Sequence, residues 1–513
     1  MASPRPLERL LAVFSKVQPG EGAPVVILMF DLFLLLTAYY LLKPVREQLI
    51  LGLTNGAVLK SYSAALQAAL LLGIVPAYGW LGSRVSRKVL INVVSLIFVG
   101  SFVLFFLLYK AGASIGIPFF LWMGIFNILI ISQFWSLANE LFSPAQGKRL
   151  FSIIAFGGTL GAIVGAKVAG LVIKATGAGT NMLLAAGLIL GATVLTMLGA
   201  AAAKRGPRGE DADAVAAPEQ EKPLGKDGGF KLVAKVRYLR LIAAMVLVYN
   251  IANTMGEFIL GSHVKNHATE VATQEVLGAP PVPAASSAVP ATTGTPSVPA
   301  SSAAQPVGAP GAAAPAVTPE QKKAIKERSG ALIGEFYADF YFWVNLVTAL
   351  LQALVVSRIA RFLGVRVGLL LVPLLAIGGY LVMAILPVLF WVRVAKISEN
   401  SVDYSLHNTL RQMLWLPTTP EEKYKAKNAV ETFFVRFGDM ASAGVVYVGV
   451  QLALGLQAFA MVTVGIGVVW LFIVVLVGRE HDVMVAKRGA VDDAAARGNG
   501  LPKATALPSP RTA

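Results

Sequence analysis

The stretch KISENSVDYSLHNTLR, Lys396 to Arg411, sets ionisable groups where the flanking sequence reads as apolar helix. Wound at about 3.6 residues per turn, it brings Lys396, Glu399, Asn400, Asp403, Tyr404, His407 and Arg411 to one side, with Ile397, Val402 and Leu406 mostly elsewhere. Charge inside a bilayer is costly and ordinarily faces a bundle interior or a wet cavity, so this face is a candidate functional surface. A plainer reading has Lys396, Glu399 and Asp403 neutralise one another while Arg411 sits at the membrane interface. The fold turns on this stretch. Counted as spanning, residues 387–413 are the tenth of twelve membrane-crossing runs.

The chain of 513 residues is 56% hydrophobic and 14% charged, far too apolar for a soluble domain of this length. Runs of roughly 20 apolar residues are the signature of spanning helices. They lie near 25–50, 58–80, 89–109, 117–138, 151–174, 181–203, 239–261, 335–357, 366–385, 387–413, 429–453 and 457–478. The first and the tenth carry the most charge. The expected fold is an all-α integral membrane protein with twelve transmembrane helices. Residues 1–24 read as an amphipathic interfacial segment rather than a removable signal. The absence of cysteine excludes disulfide and thiol chemistry.

The net charge of +16 is distributed by topology rather than gathered into a nucleic-acid surface. Arg84, Arg87 and Lys88 share one short loop, Lys148 and Arg149 another, Arg358, Arg361 and Arg366 a third, and Lys423, Lys425 and Lys427 a fourth. With twelve spans these loops, the basic segment Lys204 to Arg240 and the C-terminal tail all fall on one side. The excess of Lys and Arg on that side makes it cytoplasmic, with both termini there. No barrel pattern or organelle-targeting segment is present, and the Ala, Arg and Gly content suits a bacterial inner membrane.

The spans divide into an N-terminal half, 25–203, and a C-terminal half, 239–478, joined by a polar cytoplasmic linker, 204–238, and followed by a tail, 479–513. A weak internal repeat supports the division. GWLGSRVSRKVL, Gly79 to Leu90, follows the second span, and SRIARFLGVRVGL, Ser357 to Leu369, follows the eighth. Both resemble the short basic loop of the major facilitator superfamily, with Ser83 and Ser357 where an aspartate is usual. The C-terminal half carries an extracytoplasmic insertion, 262–334, whose middle from Val276 to Pro319 has no charged residue and reads as a disordered spacer with helical flanks.

Within the first span, YYLLKPVREQL at Tyr39 to Leu49 aligns Tyr39, Lys43 and Arg46 on one helix face and sets Glu47 one turn from Lys43. Two cations beside an aromatic ring suit an anion carrying a flat group, since guanidinium binds phosphate bidentately and the ring can stack. The alternative has both cations snorkel to the interface, with Glu47 pairing with one of them. Gly157, Gly161 and Gly165 in the fifth span favour close helix packing. Asn250, Asn253, Thr254 and Glu257 form a polar stripe in the seventh span. Arg436 and Asp439, one turn apart in the eleventh, are expected to pair with each other or with the tenth span's charges.

These motifs, YYLLKPVREQL, KISENSVDYSLHNTLRQMLWLP, EEKYKAKN and VRFGD, resemble the nucleotide transporter family of obligate intracellular bacteria and plastids, the ATP:ADP translocase type. The resemblance is strongest from Leu386 to Val450. It implies a major facilitator-like fold and exchange of nucleotides across a membrane without hydrolysis. The family's first-span basic and acidic motif falls on Lys43, Arg46 and Glu47, and its lysines after the tenth span on Lys423, Lys425 and Lys427. Pro44 and Val45 stand where more polar residues are usual, and the charge-free insertion is a further departure.

The resulting expectation is an alternating-access antiporter for ATP and ADP or another phosphorylated anion, working in contact with membrane lipid and without cofactor or metal. Lys43, Arg46 and Arg411 would neutralise phosphate and Tyr39 or Tyr404 would pack on a base. Glu47, Lys396, Glu399 and Asp403 complete the binding set, with Glu399 and Asp403 either holding the cations or coupling to protons. Asn250, Glu257, His407, Arg436 and Asp439 are the candidate gating or coupling residues. Proton-coupled transport of a different organic anion is the alternative, and a non-transporting receptor or assembly factor is a third. Enzymatic activity is disfavoured, because no phosphate-binding glycine loop, metal-ligand cluster or nucleophile motif is present.

Overall fold

The computed structural model describes Glu8 and residues 17–18, 20–205, 228–278 and 317–498, and regular structure throughout these is helical. The principal helices are α1 (Gly22–Leu51), α2 (Gly56–Gly82), α3 (Arg87–Lys110), α4 (Gly116–Leu141), α5 (Pro144–Thr176) and α6 (Ala178–Arg205). They continue as α7 (Arg237–Leu277), α8 (Pro319–Leu351), α9 (Gly364–Ile385), α10 (Leu389–Val402), α11 (Val435–Gln451) and α12 (Leu456–Gly498). Among the described residues, eleven helical stretches are long and apolar enough to cross a membrane. The expected tenth span is not one of them, because its charges break the apolar run.

That stretch also departs from one continuous α-helix. After Val402 it widens into a π-helical turn, Asp403–His407, and resumes as Asn408–Met413. Hydroxyls serve the carbonyls around the wider turn: Ser405 donates to Ser401 O at 2.6 Å and Thr409 to Ser405 O at 2.9 Å. The single polar face expected from 3.6-residue periodicity is therefore broken at Asp403. The lysines expected in a loop at 423–427 are likewise helical, within a π segment, Glu422–Ala426, and a short turn, Lys427–Ala429, that lead through a second π segment into α11.

Three boundaries move outward. α7 continues to Leu277 and α8 begins at Pro319, so both flanks of the 262–334 insertion are helical. Val264, Ala268 and Ala272 recur at helical spacing and are buried, which gives the extension an apolar face. The two flanks meet through Thr269 and Ser329 hydroxyls 3.3 Å apart and an Arg328–Glu275 ion pair. α12 runs on to Gly498, well into the expected tail. A short helix, Gly229–Lys235, occupies part of the linker. The N-terminal segment up to residue 16 apart from Glu8, residues 206–227, the charge-free spacer at 279–316 and residues 499–513 lie outside the described residues.

Buried apolar side chains fall into two clusters. One is drawn from α1–α6 with Ala338 added, and the other mainly from 233–477. α1 is the axis of the first: Val25, Leu28, Ala38, Leu42 and Val45 are fully buried, whereas Ile50 and Leu51 at its end belong to the second. Pro44 sits inside α1 without ending it. The glycines of α5 explain the close approach of its neighbour, since a Cβ at Gly157, Gly161 or Gly165 would lie 2.2, 2.3 or 2.6 Å from the carbonyl oxygen of Met29, Phe33 or Thr37. Exposed Leu, Ile, Val and Phe side chains such as Leu104, Leu107, Leu198, Val468 and Phe472 clothe the outside, as a lipid-facing surface requires.

Contacts between the two groups of helices gather toward the Gly52–Asn55 turn, the end opposite the basic loops. Lys265 donates to Leu53 O and a Cβ on Gly334 would touch Gln48, while contact also reaches mid-helix, where a Cβ on Gly170 would touch Ala338 and Asn345 donates to Ala162 O at 3.4 Å.

Replacing Gly161 by Leu forces α1 and α5 apart and is expected to cost about 1–3 kcal/mol. Gly187→Leu, where a Cβ meets nothing within 4 Å, should stay within about 0.5 kcal/mol. Thermal unfolding of the two variants in one detergent measures the difference.

Candidate functional site

A cavity of about 340 Å³ lies between α1 and α2 on one side and α7, α8, α10 and α11 on the other. Tyr39, Lys43 and Arg46 of α1, Lys60 and Gln67 of α2, Asn253, Thr254 and Glu257 of α7, and Tyr341 of α8 line it. Asn400 of α10, Tyr404 of the following π turn, and Arg436 and Asp439 of α11 complete the wall. Helical spacing accounts for the convergence. Tyr39, Lys43 and Arg46 share one face of α1, and Asn250, Asn253, Thr254 and Glu257 share one face of α7.

Along one side of the cavity the charges alternate in a chain that crosses between the helix groups. Arg46 pairs with Glu47, its Nε 3.0 Å from Oε1, and Lys60 Nζ lies 2.8 Å from Glu47 Oε2 and 3.5 Å from Glu257 Oε2. Lys396 Nζ is 3.6 Å from Glu257 Oε1 and 2.9 Å from Glu399 Oε2. Asn400 donates to Glu257 at 3.2 Å, and the Tyr380 hydroxyl donates to Glu399 at 2.7 Å. Glu47 and Lys396 are wholly buried. Three cations and three carboxylates cancel, which makes so much charge tolerable inside the bundle.

Lys43 stands outside this chain. Its ammonium lies 4.0 Å from the ring centroid of Tyr341, 5.1 Å from Tyr40, 5.8 Å from Tyr39 and 6.0 Å from Tyr404. Ring faces attract a cation without neutralising it, and among the described residues no carboxylate forms an ion pair with Lys43. Lys43, Tyr39 and Tyr404 also line a second cavity of about 420 Å³, otherwise walled by Leu32, Leu36, Tyr40, Asn127, Ile131, Trp135, Ala155 and Gly158. The caged ammonium is thus common to a polar chamber and a mainly apolar, aromatic one. Around the polar chamber Lys43, Arg46, Lys60 and Arg436 outnumber Glu257 and Asp439.

The sequence-derived candidates separate into three groups. Tyr39, Lys43, Arg46, Glu257, Tyr404, Arg436 and Asp439 line the cavity, while Glu47, Lys396 and Glu399 hold the charge chain behind it. Arg436 pairs with Asp439 at 3.3 Å, and Asp439 accepts from Asn250 at 2.7 Å and Thr254 at 3.1 Å, tying α11 to α7. Asp403, His407 and Arg411 are carried elsewhere. Asp403 meets His407 Nδ1 at 2.8 Å, the buried imidazole packs on Tyr249 and Trp470, and Arg411 reaches Asn408 at 3.4 Å. The π turn is the physical reason for His407 and Arg411, because its wider period leaves Tyr404 on the cavity but rotates the residues after it off the face of Lys396, Glu399 and Asn400.

Lys60, Tyr40, Tyr341 and Tyr380 are site residues that the sequence reading did not select. Lys60 had a signal, a lone cation followed by Ser61, Ser63 and Gln67 inside an apolar run. The tyrosines had none, because nothing in their own helices says which ring meets an ammonium.

The family model described as TLC ATP/ADP transporter matches residues 119–275 and 335–481. No curated protein matches this sequence. Among solved structures, the POT family transporter PepTSo aligns with a TM-score of 0.53 at 13% identity, covering 90% of this chain and 98% of that one. A bacterial homologue of the human lysosomal transporter Spinster, inward-facing and unoccupied, gives 0.52 at 13% identity, covering 91% and 99%. A point mutant of the nucleoside transporter NupG gives 0.51 at 13%, covering 88% and 99%. At such identities the likeness concerns the fold alone.

Because Glu257 faces both Lys60 and Lys396, Glu257→Gln should destabilise the protein by about 3 kcal/mol, the cost of breaking a buried ion pair. Adding Lys60→Met should restore part of that loss by removing the stranded cation. Thermal midpoints of the wild type, single and double variants read both effects.

Proposed function

Because the chain belongs to the TLC ATP/ADP transporter family, we propose that its central site carries a phosphorylated organic anion across the membrane, with nucleotide exchange the specific form that the family suggests. It is an all-α, multi-span membrane transporter of small molecules and not an enzyme. The observation that carries the substrate class is the Lys43 ammonium, held by four tyrosine rings without a carboxylate and shared by two chambers of opposite character. An anionic head beside Lys43, Arg46, Lys60 and Arg436, with a planar group against Tyr39, Tyr40 and Trp135, uses both chambers. Any organic anion with a flat apolar part meets the same geometry, so proton-coupled transport of such an anion is the second reading.

In this reading α10 and its extension to Met413 are the twelfth crossing, despite their charges. Lys396, Glu399 and Asn400 point into the protein, while Phe390, Trp391 and Val394 are exposed. Residues 25–203 and 239–478 then form two six-helix halves joined by the linker 204–238, with both termini in the cytoplasm of a bacterial cell and the basic loops on the same side. The halves touch at the far end, so the site is reached from the basic-loop side in this arrangement. Rocking of the halves exposes it alternately. Glu257, Arg436, Asp439 and Asn250 hold α7 to its neighbours and are the candidate gating groups.

Uptake of labelled ATP and ADP into proteoliposomes, with and without internal nucleotide, tests the proposal. Lys43→Ala should lower exchange by about tenfold or more, the scale of a lost charge-assisted contact, and Lys43→Arg should retain part of it. Arg411→Ala, outside both cavities, should stay within about threefold. Absence of nucleotide flux in folded wild-type protein, together with flux of another aromatic anion, would select the second reading.

A further inference from the structure

Asp31, in the third turn of α1, is a carboxyl group that the anion site does not use. It is 0% exposed, its Oδ2 accepts from Thr196 of α6 at 2.6 Å, and its Oδ1 has no hydrogen-bond partner among the described residues. Beside Thr196 lies a cavity of about 20 Å³ lined also by Ser95, Gln133 and Thr193. The amide Nε2 of Gln133 is likewise buried and without a partner among them. This space is large enough for one water molecule, and its polar walls can hold one.

Among the described residues, no neutralising charge reaches Asp31. Along α1 the nearest charged groups are Glu21, which pairs with Arg149 of α5, and Lys43, with the phenols of Tyr39 and Tyr40 between Asp31 and Lys43. At the helical rise Glu21 and Lys43 lie roughly 15 and 18 Å away. On the helices around it, α3 has Tyr109 and Lys110 at its far end and Arg87 and Lys88 at its start, α4 has Glu140 at its end, and α5 has Lys148, Arg149, Lys167 and Lys174. Residues 178–202 of α6 carry no ionisable group. α2 meets α1 near Leu51, and α8 meets it from Gln48 to Tyr40, more than two turns from Asp31. An ionised carboxylate so enclosed, with one hydrogen bond and no cation, is strongly disfavoured, whereas its neutral acid is not.

We propose that Asp31 is a proton-binding site that couples transport to a proton gradient. It holds one proton in the packed arrangement seen here and returns it to water when α1 shifts against α5 and α6. The α1–α5 contact is suited to such a shift, because glycines at 157, 161 and 165 present no side chains to α1 on either side of this level. Asp31 lies two turns from Tyr39 toward the basic-loop end, on the side from which the anion site opens. The ligand is a proton, and Thr196 and Gln133 are positioning residues, the first bonding the carboxyl and the second addressing the adjoining space.

The inference rests on the transport reading, and two measurements separate their failures. In wild-type protein reconstituted in lipid, infrared spectroscopy should show the band of a protonated buried carboxyl, and that band should respond to the pH of the medium. Asp31→Asn should remove that band. Thr196→Val, which deletes the hydroxyl bonded to the carboxyl, should shift the frequency of that band. In proteoliposomes, an inward proton gradient should drive accumulation of labelled ATP by wild type, and Asp31→Asn should reduce accumulation to passive equilibration and flatten the pH profile of exchange. A band that does not respond to pH, or accumulation driven by sodium or by no gradient, overturns the proposal. A titrating Asp31 band without ATP flux overturns the nucleotide cargo and leaves the proton site standing.

Discussion

The alternating charge chain from Arg46 through Glu47, Lys60, Glu257 and Lys396 to Glu399 is the constraint on which the interior depends. Each of these groups alone would cost about 2.5–3.5 kcal/mol or more at the centre of a bilayer. Linked, each cation meets a carboxylate, and amide and hydroxyl donors take up further lone pairs. The chain joins α1 and α2 to α7 and α10, so the balance is achieved only when both groups of helices are assembled. It neutralises itself and leaves Lys43 as the uncompensated charge of the α1 motif.

Lys43 can remain so because tyrosine rings, rather than carboxylates, surround it. A carboxylate at that point would compete with an incoming anion, whereas ring faces hold the ammonium and leave its charge available. Tyr40 and Tyr341 come from different helix groups, so the cage forms at the boundary between them. The π turns serve the same region. By widening the helix after Val402, the turn at Asp403–His407 keeps Tyr404 on the cavity and sends His407 into a packed aromatic cluster with Tyr249 and Trp470.

The α1–α5 interface is packed backbone against backbone. Glycine at three successive turns lets backbone approach backbone, which fixes α1 as the axis of its group without interlocking side chains. The Thr37 hydroxyl spans this interface, donating to Phe33 O at 2.7 Å and reaching Gly161 O at 3.3 Å, while Asp31 turns to Thr196 of α6.

Hydropathy determined that the chain is an all-helical membrane protein and placed its apolar spans, because a helix in lipid must satisfy its own backbone and show apolar side chains for roughly 20 residues. Periodicity also determined the faces of α1 and α7, since Tyr39, Lys43 and Arg46, or Asn253 and Glu257, need only their own helix to align. Residues 387–413 resisted the same reading: a local widening after Val402 changes the period, and no residue type there announces it. The choice of partners was tertiary throughout. Glu47 sits one turn from Lys43 yet binds Arg46 and Lys60, and Lys396 balances Glu257 from another helix, because buried charges pair with whatever packing brings within a few ångströms. Sequence spacing records only the helix each one starts from.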